Sequence, residues 1–368
     1  MSAPVKEPLF HVVKRDDITP LKSMAIRAIA IVLALIVCAV IIVLLTGMNP
    51  LHVYAALWDG AVGTSRRMWI TLRDSAILLC IGFAVMPAFR MRFWNIGAEG
   101  QVLVGAMATA AVMIYGKTLP SWLLYTLCPL AGIAAGMIWG IIPAFFKAHW
   151  NTNETLFTLM MNYIATQLVT FSIIFWENPK GSNSVGLINA KGKIGWLPSI
   201  NKNSYVLPVI IVVSLAVILF IYMRYTKQGY EVSVVGESEN TAHYAAINVK
   251  RVIIRTMAIC GAIAGVAGYL LTAGVGHTIS ASLAGGRGFT AIIVAWLGKL
   301  NPFTMMLVAF FLVFMEKGAL EIASQFNLNE NASEILTGVI LFFILGCEFF
   351  INYRLEFRKA EAKEAVKA

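Results

Sequence analysis

Charge is scarce in this sequence. Only 13% of its 368 residues are Asp, Glu, Lys or Arg, whereas 59% are apolar, and the mean hydropathy is +0.76. Soluble domains typically carry about 25% charged and about 45–50% apolar residues. The composition therefore excludes an ordinary globular enzyme, and it supplies enough apolar sequence for about ten helical crossings of a bilayer.

Motifs for catalysis, nucleotide binding and metal binding are also missing. The five cysteines stand singly in apolar runs, and no two of the five histidines have metal-ligand spacing. Gly116-Lys117-Thr118 has the ending of a phosphate-binding loop, but Ala111 occupies the position of its first glycine. We therefore expect a protein that is not an enzyme and that binds no cofactor or metal.

Apolar runs of membrane-spanning length recur along the chain. Nine of them predict transmembrane helices: Ala28–Met48, Trp69–Phe89, Ile96–Tyr115, Trp122–Phe146, Thr155–Trp176, Ser204–Met223, Thr256–Val275, Leu300–Met315 and Ile335–Ile351. A further crossing, the eighth in chain order, must fit near Arg287–Lys299, where only 11 residues lie between two charges. We expect it to begin further back, near Ile279, or to be partly re-entrant and buried in protein.

Basic residues are distributed unevenly between the two sides of these crossings. With the N-terminus inside and ten crossings, 19 of the 29 lysines and arginines fall on the inner side. The positive-inside rule then predicts an all-α polytopic membrane bundle with both termini cytoplasmic. The predicted parts are a cytoplasmic N-terminal segment (1–23), a transmembrane domain (24–353) with an outer loop (177–203) and an inner segment (224–255), and a cytoplasmic tail (354–368).

Polar residues within apolar spans are costly, so each needs a partner or a function. Asn95 and Glu99 open the third span, where they cap a helix, line a solute pathway, or do both. Asn162 and Tyr163 lie in the middle of the fifth span. There an interhelical hydrogen bond and a solute contact are both open.

Arg73 and Asp74 are adjacent charged residues in the second span. Neighbours in a helix point to different sides, so we do not expect them to pair. Arg73 lies near the outer end, where its long side chain can reach the membrane surface.

Two glycine runs predict close helix packing. Glycines at three- or four-residue spacing share one helix face, and a second helix can approach it to backbone contact. The residues are Gly132, Gly136 and Gly140 in one span and Gly261, Gly265 and Gly268 in another.

The inner segment contains the pattern of a short helix. Acidic residues come first, small residues follow at Ala242, Ala245 and Ala246, and Asn248 precedes a basic end. The pattern predicts a cytoplasmic helix with a smooth small-residue face, which a left-handed residue at Asn248 would terminate.

Five motifs, in this order, resemble the permease subunits of ABC importers. They are Asn95–Gln101, Asn153-Glu154, Met160–Ala165, Gly236–Gly268 and Gly288–Gly298. The resemblance extends from about residue 95 to residue 350. It is to the superfamily of branched-chain amino acid and simple-sugar permeases, and within it to the nucleoside permeases.

The resemblance implies that the inner segment holds a coupling helix, which docks on a cytoplasmic ATPase and transmits its closure to the membrane spans. The residues that take this role are Glu237, Ser238, Glu239, Asn240, Thr241, Ala242, His243, Tyr244, Ala245, Ala246, Ile247, Asn248 and Val249. The family usually has glycine at the position of Ala246 and often proline near Asn240 and Thr241. These departures concern the docking surface and not the class of protein.

The resemblance also implies an importer that works by alternating access in the bacterial plasma (inner) membrane. An extracytoplasmic or lipid-anchored solute-binding protein would deliver solute to a dimer of permeases, formed by this chain and a second, identical or paralogous one. Cytoplasmic ABC ATPase subunits would bind the ATP and Mg, and this chain would bind no cofactor. The lipid bilayer completes the expected partners, which include no nucleic acid.

A pathway for nucleosides should offer amides, hydroxyls and aromatic faces. The candidates are Phe93, Asn95, Glu99, Gln101, Asn162 and Tyr163. One alternative solute is a simple sugar such as ribose. An alternative of another class is an ATP-independent secondary transporter, but such proteins commonly use deep intramembrane carboxylates. Here Asp74, Glu99 and Glu348 all lie toward span ends.

Overall fold

A computed structural model of the protein describes residues 10–15, 19–47, 49–200, 203–326 and 330–357. Within these ranges nine helices are long and apolar enough to cross a membrane, and a tenth apolar helix is shorter. This confirms the predicted all-α polytopic bundle. Residues 1–9 and 16–18 of the predicted N-terminal segment, and 358–368 of the predicted tail, lie outside the described residues.

The described residues form thirteen α-helices and two short strands. The helices are α1 (Pro20–Thr46), α2 (Pro50–Val62), α3 (Ser65–Arg90), α4 (Ala98–Tyr115), α5 (Ser121–Trp150), α6 (Glu154–Trp176), α7 (Val206–Tyr225), α8 (Lys227–Glu237), α9 (Glu239–Tyr244), α10 (Val249–Tyr269), α11 (Arg287–Leu297), α12 (Pro302–Gln325) and α13 (Glu330–Asn352). The strands are β1 (Phe10–Lys14) and β2 (Tyr353–Phe357). The chain divides into two compact units, Val62–Phe314 and Met1–Ala61 with Met315–Ala368.

The smaller unit brings the two ends of the described chain together. β1 pairs with β2 in an antiparallel arrangement, and α1 packs against α13. Arg27 and Glu348 form an ion pair of 2.7 Å between these helices. Residues 10–14 and 353–357, from opposite ends of the chain, therefore lie side by side. Helix α2 was not predicted from the sequence.

The larger unit is built around a glycine seam between α5 and α10. A methyl group added to Gly265 would lie 2.1 Å from the carbonyl oxygen of Gly132, and one on Gly136 would lie 2.3 Å from that of Gly261. No side chain fits in such a space, so the two backbones are in contact. The packing role predicted for these glycines is confirmed.

In the region predicted as the eighth crossing, the helix α11 begins at Arg287 and not near Ile279. After α10 the chain continues as a π-helix over Leu270–Gly276, and it then passes through turns to α11. The 11 residues of α11 rise about 16 Å, which is roughly half of a bilayer core. Gly285 and Gly286 have positive φ values of 59° and 74° just before it, a conformation that glycine adopts easily. The crossing is therefore short and irregular, as its sequence predicted.

The prediction that Arg73 and Asp74 do not pair is wrong. The guanidinium of Arg73 contacts the Asp74 carboxylate at 2.8 Å and also lies 5.2 Å from the centre of the Tyr205 ring. The arginine side chain is long enough to fold back to its neighbour. Burial of both side chains strengthens the attraction, because little water screens it.

Candidate functional site

The start of α4 is a buried polar site, which we call the polar junction. It consists of Asn95, Glu99, Gln101, Thr158 and Asn162, contributed by α4, the residues just before it, and α6. The chain reverses between α3 and α4, since Phe93 donates a backbone hydrogen bond to Ala88. This reversal places the first turn of α4 against α6 and α11.

Asn95 and Gln101 form a buried amide pair at the start of α4. Both side chains are buried, and each amide donates to the oxygen of the other, at 3.4 Å from Asn95 and 3.2 Å from Gln101. The Asn95 oxygen also accepts from the backbone N–H of Gly97 at 3.2 Å. The amide pair therefore fixes the turn that leads into α4.

Side chains of α6 satisfy the backbone at the start of α4. Asn162 accepts from the N–H of Gly100 at 2.8 Å and donates to the carbonyl of Ile96 at 2.9 Å. The Thr158 hydroxyl accepts from the N–H of Ile96 at 3.2 Å. The first N–H groups of a helix have no partner within the helix, so Asn162 supplies the interhelical hydrogen bond that the sequence left as one of two alternatives.

Glu99 joins α4 to α11. One carboxylate oxygen accepts from the N–H of Gly286 at 2.8 Å, and the other from the N–H of Gly288 at 2.6 Å. Glu99 thus caps the N-terminus of a helix that lies almost 190 residues further along the chain. Sequence reasoning predicted a capping role in α4 and could not identify this partner.

The other two pathway candidates lie apart from these hydrogen bonds. Phe93 is buried in an apolar cluster that includes Val235 and Ile253 of the inner segment. Tyr163 is 63% exposed on α6. The structure therefore brings four of the six candidates together at the polar junction.

Two tryptophans that sequence reasoning missed lie near the junction. The rings of Trp94 and Trp296 stack with centroids 5.7 Å apart, and Phe89 packs against both. With Arg92 they line a cavity of about 240 Å³. Trp94 directly precedes Asn95, and Trp296 belongs to the last of the five motifs, so both positions were available as signals.

The inner segment is not the single helix that its sequence predicted. The Ser238 hydroxyl accepts from the N–H of Thr241 and starts the six-residue helix α9. Ala246 has a φ of +55° and is the left-handed residue, whereas Asn248 caps the start of α10 by accepting from the N–H of Arg251. The prediction of a left-handed stop at Asn248 is therefore wrong by two residues. Glycine, which the family resemblance leads us to expect at this position, would adopt this positive φ without strain.

Residues 238–248, which we call the coupling segment, have one side chain buried against the rest of the protein and several that are exposed. Ala242 is fully buried in the apolar cluster, whereas Tyr244 is 94% exposed and Ala245 and Ala246 are also exposed. A methyl group on Gly236 would lie 2.1 Å from the carbonyl oxygen of Arg90, so α8 is in backbone contact with the end of α3. The chain just before the coupling segment therefore lies directly against a long apolar helix.

The predicted outer loop packs on the π-helix. Leu197 donates a backbone hydrogen bond to Ala273 at 2.9 Å, and Ile188 donates one to His277 at 2.8 Å. The rings of Trp196 and His277 are parallel and 3.6 Å apart. Burial lowers the pKa of His277 below its ordinary value, which favours the neutral form of the stacked ring.

Known sequences match almost the whole chain. The sequence profile of the family described as branched-chain amino acid transport system / permease component matches residues 68–345. The guanosine ABC transporter permease protein NupP of Bacillus subtilis (strain 168) is 32% identical, and the alignment covers 94% of this chain and 98% of NupP.

Two further relatives differ in the solute that they are named for. The nucleoside ABC transporter permease protein NupB of Lactococcus lactis subsp. cremoris is 29% identical over 94% of this chain and 97% of NupB. The glucose ABC transporter permease protein TsgB13 of Haloferax volcanii is 27% identical over 84% of this chain and 83% of its own length.

Proposed function

The chain belongs to the branched-chain amino acid transport system / permease component family, and from this premise we propose that it forms the solute pathway of an ABC importer for nucleosides. It is a multi-pass membrane protein and a transporter subunit, and its family implies an ATPase and a substrate-binding partner. We place it in the bacterial plasma (inner) membrane.

The observation that carries the nucleoside proposal is the extent of the similarity to permeases named for nucleosides. NupB and NupP each align over 94% of this chain and nearly all of their own length. The alignment with the glucose permease is shorter and has lower identity. A simple sugar is therefore the second candidate.

The geometry of the polar junction supports a pathway beside α4. The proposed pathway residues are Phe93, Asn95, Glu99, Gln101, Asn162 and Tyr163. Because the amides and the Glu99 carboxylate already bond one another or the backbone, they shape the pathway more than they contact the solute. Trp94 and Trp296 offer aromatic faces on which a base can stack.

The permease responds to ATP binding by its partner through the coupling segment. The ATPase binds ATP and Mg, and it docks on Glu237–Val249, where Tyr244 and Ala245 are exposed. Closure of the ATPase dimer then moves α8 and, through the contact at Gly236, α3. Two permeases, identical or paralogous, alternate between outward-facing and inward-facing states, and an extracytoplasmic solute-binding protein supplies the solute.

Uptake into proteoliposomes tests this function. The chain is reconstituted with its ATPase, its second permease and its solute-binding protein, and labelled guanosine, adenosine, ribose and glucose are compared. We expect nucleoside uptake that requires ATP, and no uptake when the phosphate-binding lysine of the ATPase is replaced. Preferred uptake of ribose or glucose would establish the sugar alternative, and uptake by this chain alone, driven by an ion gradient, would establish a secondary transporter.

A further inference from the structure

We infer that Glu99 is a positioning residue for transport, which holds the half-helix α11 on α4 so that the two helices move as one unit. The inference rests on the proposed transport function and extends it to a residue that acts through helix position. It starts from the two hydrogen bonds of 2.8 Å and 2.6 Å between the Glu99 carboxylate and the backbone of Gly286 and Gly288.

A broken membrane helix needs such an acceptor. The first N–H groups of α11 lack partners within their own helix, and Gly288 is buried, so water cannot readily replace a missing acceptor there. In an unbroken crossing the preceding turn would supply carbonyl oxygens, but here that turn is irregular and contains two left-handed glycines. The carboxylate provides two acceptors in one group, and its negative charge is favoured at a helix N-terminus.

The fit between the two helices is tight on both sides of this contact. A methyl group on Gly288 would lie 2.6 Å from the Glu99 nitrogen and 2.7 Å from a Glu99 carboxylate oxygen. On the other side, a methyl group on Gly100 would lie 2.9 Å from the side-chain oxygen of Asn162. Helix α4 thus packs closely against α6 on one side and against α11 on the other. Hydrogen bonds from the side chains of Asn162 and Glu99 link the three helices.

The hydrogen bonds between Glu99 and α11 restrict how α4 and α11 can move during the transport cycle. If α11 separated from α4, the backbone N–H groups of Gly286 and Gly288 would lose their charge-assisted hydrogen bonds to Glu99, and the buried Gly288 would have no ready replacement. The low-energy movement is therefore one in which α4 and α11 shift together. Loss of the carboxylate uncouples them, which slows the conformational step and leaves solute binding unchanged.

The test compares Glu99→Gln and Glu99→Asp with the wild type in the reconstituted importer. Glutamine keeps the length but turns one acceptor into a donor that faces an N–H group, and aspartate keeps the charge but is one carbon shorter. We expect the maximal uptake rate to fall about tenfold in both variants, with KM and the order of preferred solutes unchanged. Glu177→Gln is the matched control, since Glu177 also accepts from a backbone N–H, that of Asn183, but in the exposed outer loop.

Hydrogen exchange provides a readout that does not depend on transport. In the purified wild type, a peptide that contains residues 284–291 should exchange slowly at its N-terminal amides. We expect faster exchange in both Glu99 variants, while peptides from α5 and α10 keep their wild-type rates. This measurement remains valid if the importer carries no nucleoside, so failure of the proposed function and failure of this inference are distinguishable.

Gly288→Ala breaks the same contact from the other helix, and Gly338→Ala is its control because a methyl group there meets no atom within 4 Å. Gly288→Ala should reproduce the loss of rate, and combination with Glu99→Gln should add little to either change. Additive effects, a raised KM with an unchanged maximal rate, or unchanged exchange at residues 284–291 would overturn the inference. Failure of all three variants to accumulate as folded protein would also overturn it, since Glu99 would then act on stability alone.

Discussion

The polar junction and the coupling segment both lie at the N-termini of helices, but the side chains of the junction are mostly buried and many of those in the coupling segment are exposed. At the junction, Asn95, Gln101 and Asn162 are buried, and their amides bond to each other or to backbone groups. In the coupling segment, capping is local, and Tyr244 and Ala245 are exposed. The junction therefore fixes the positions of helices, whereas the coupling segment has an exposed face, on which we propose that the ATPase docks.

We therefore expect substitutions in the two regions to affect different properties of the protein. Changes within the junction should reduce stability and transport together, because each buried polar group there has a specific partner. Bulky substitutions on the exposed face of the coupling segment should leave stability unchanged and affect only the response to ATP.

The largest effect is expected for Asn162→Leu. The change leaves the N–H of Gly100 and the carbonyl of Ile96 without their partner, and each unpaired group costs about 1–3 kcal/mol. We expect a marked fall in the thermal unfolding temperature in detergent and loss of uptake. Thr170→Val, which removes an exposed hydroxyl from the same helix, should change neither. An unaltered unfolding temperature in Asn162→Leu would contradict the role of the junction.

The second prediction concerns Ala245→Trp in the coupling segment. The residue is exposed, so the folded chain can accommodate the larger side chain, but a docked ATPase cannot. We expect ATP-driven uptake and solute-stimulated ATP hydrolysis to fall at least about tenfold, with an unchanged unfolding temperature. Ala242→Trp provides the comparison, because Ala242 is fully buried and its replacement should also destabilise the protein. Normal uptake by Ala245→Trp would show that nothing docks on this face.

The smallest effect is expected for Ala246→Gly. A left-handed conformation costs an alanine about 1–2 kcal/mol, and glycine avoids that cost but loses more backbone entropy on folding. The net gain should be about 0.5–1 kcal/mol, measured as a slightly higher unfolding temperature with unchanged uptake. A lower unfolding temperature would show that this residue is not left-handed in the membrane-embedded protein.

Much of the fold could be predicted from the sequence because apolar length and glycine spacing report directly on membrane crossing and helix packing. The nine long spans and the glycine seam between α5 and α10 are examples. The short helix in the region of the eighth predicted crossing could also be expected, since the 11 residues between Arg287 and Lys299 are too few to span a bilayer.

The polar contacts could be predicted only in part. Local spacing identified Asn95, Glu99 and Asn162 as residues that need partners, but it could not show that Glu99 bonds to Gly286 and Gly288. That contact depends on how α11 packs, which sequence spacing does not encode. The error at Asn248 has a different origin, because asparagine suits both a left-handed stop and a helix cap. Only the fold of the chain distinguishes the two.

The most direct test of the central claim is site-specific crosslinking from position 244 in the assembled importer. A photoreactive amino acid replaces Tyr244, and a second variant carries it in place of Tyr163, which is exposed on a membrane-spanning helix. The account predicts crosslinks from position 244 to the ATPase subunit that change in yield when ATP is added, and none to the ATPase from position 163. Absence of ATPase crosslinks from position 244, or reaction of a cysteine there with an impermeant reagent added outside intact cells, would contradict it.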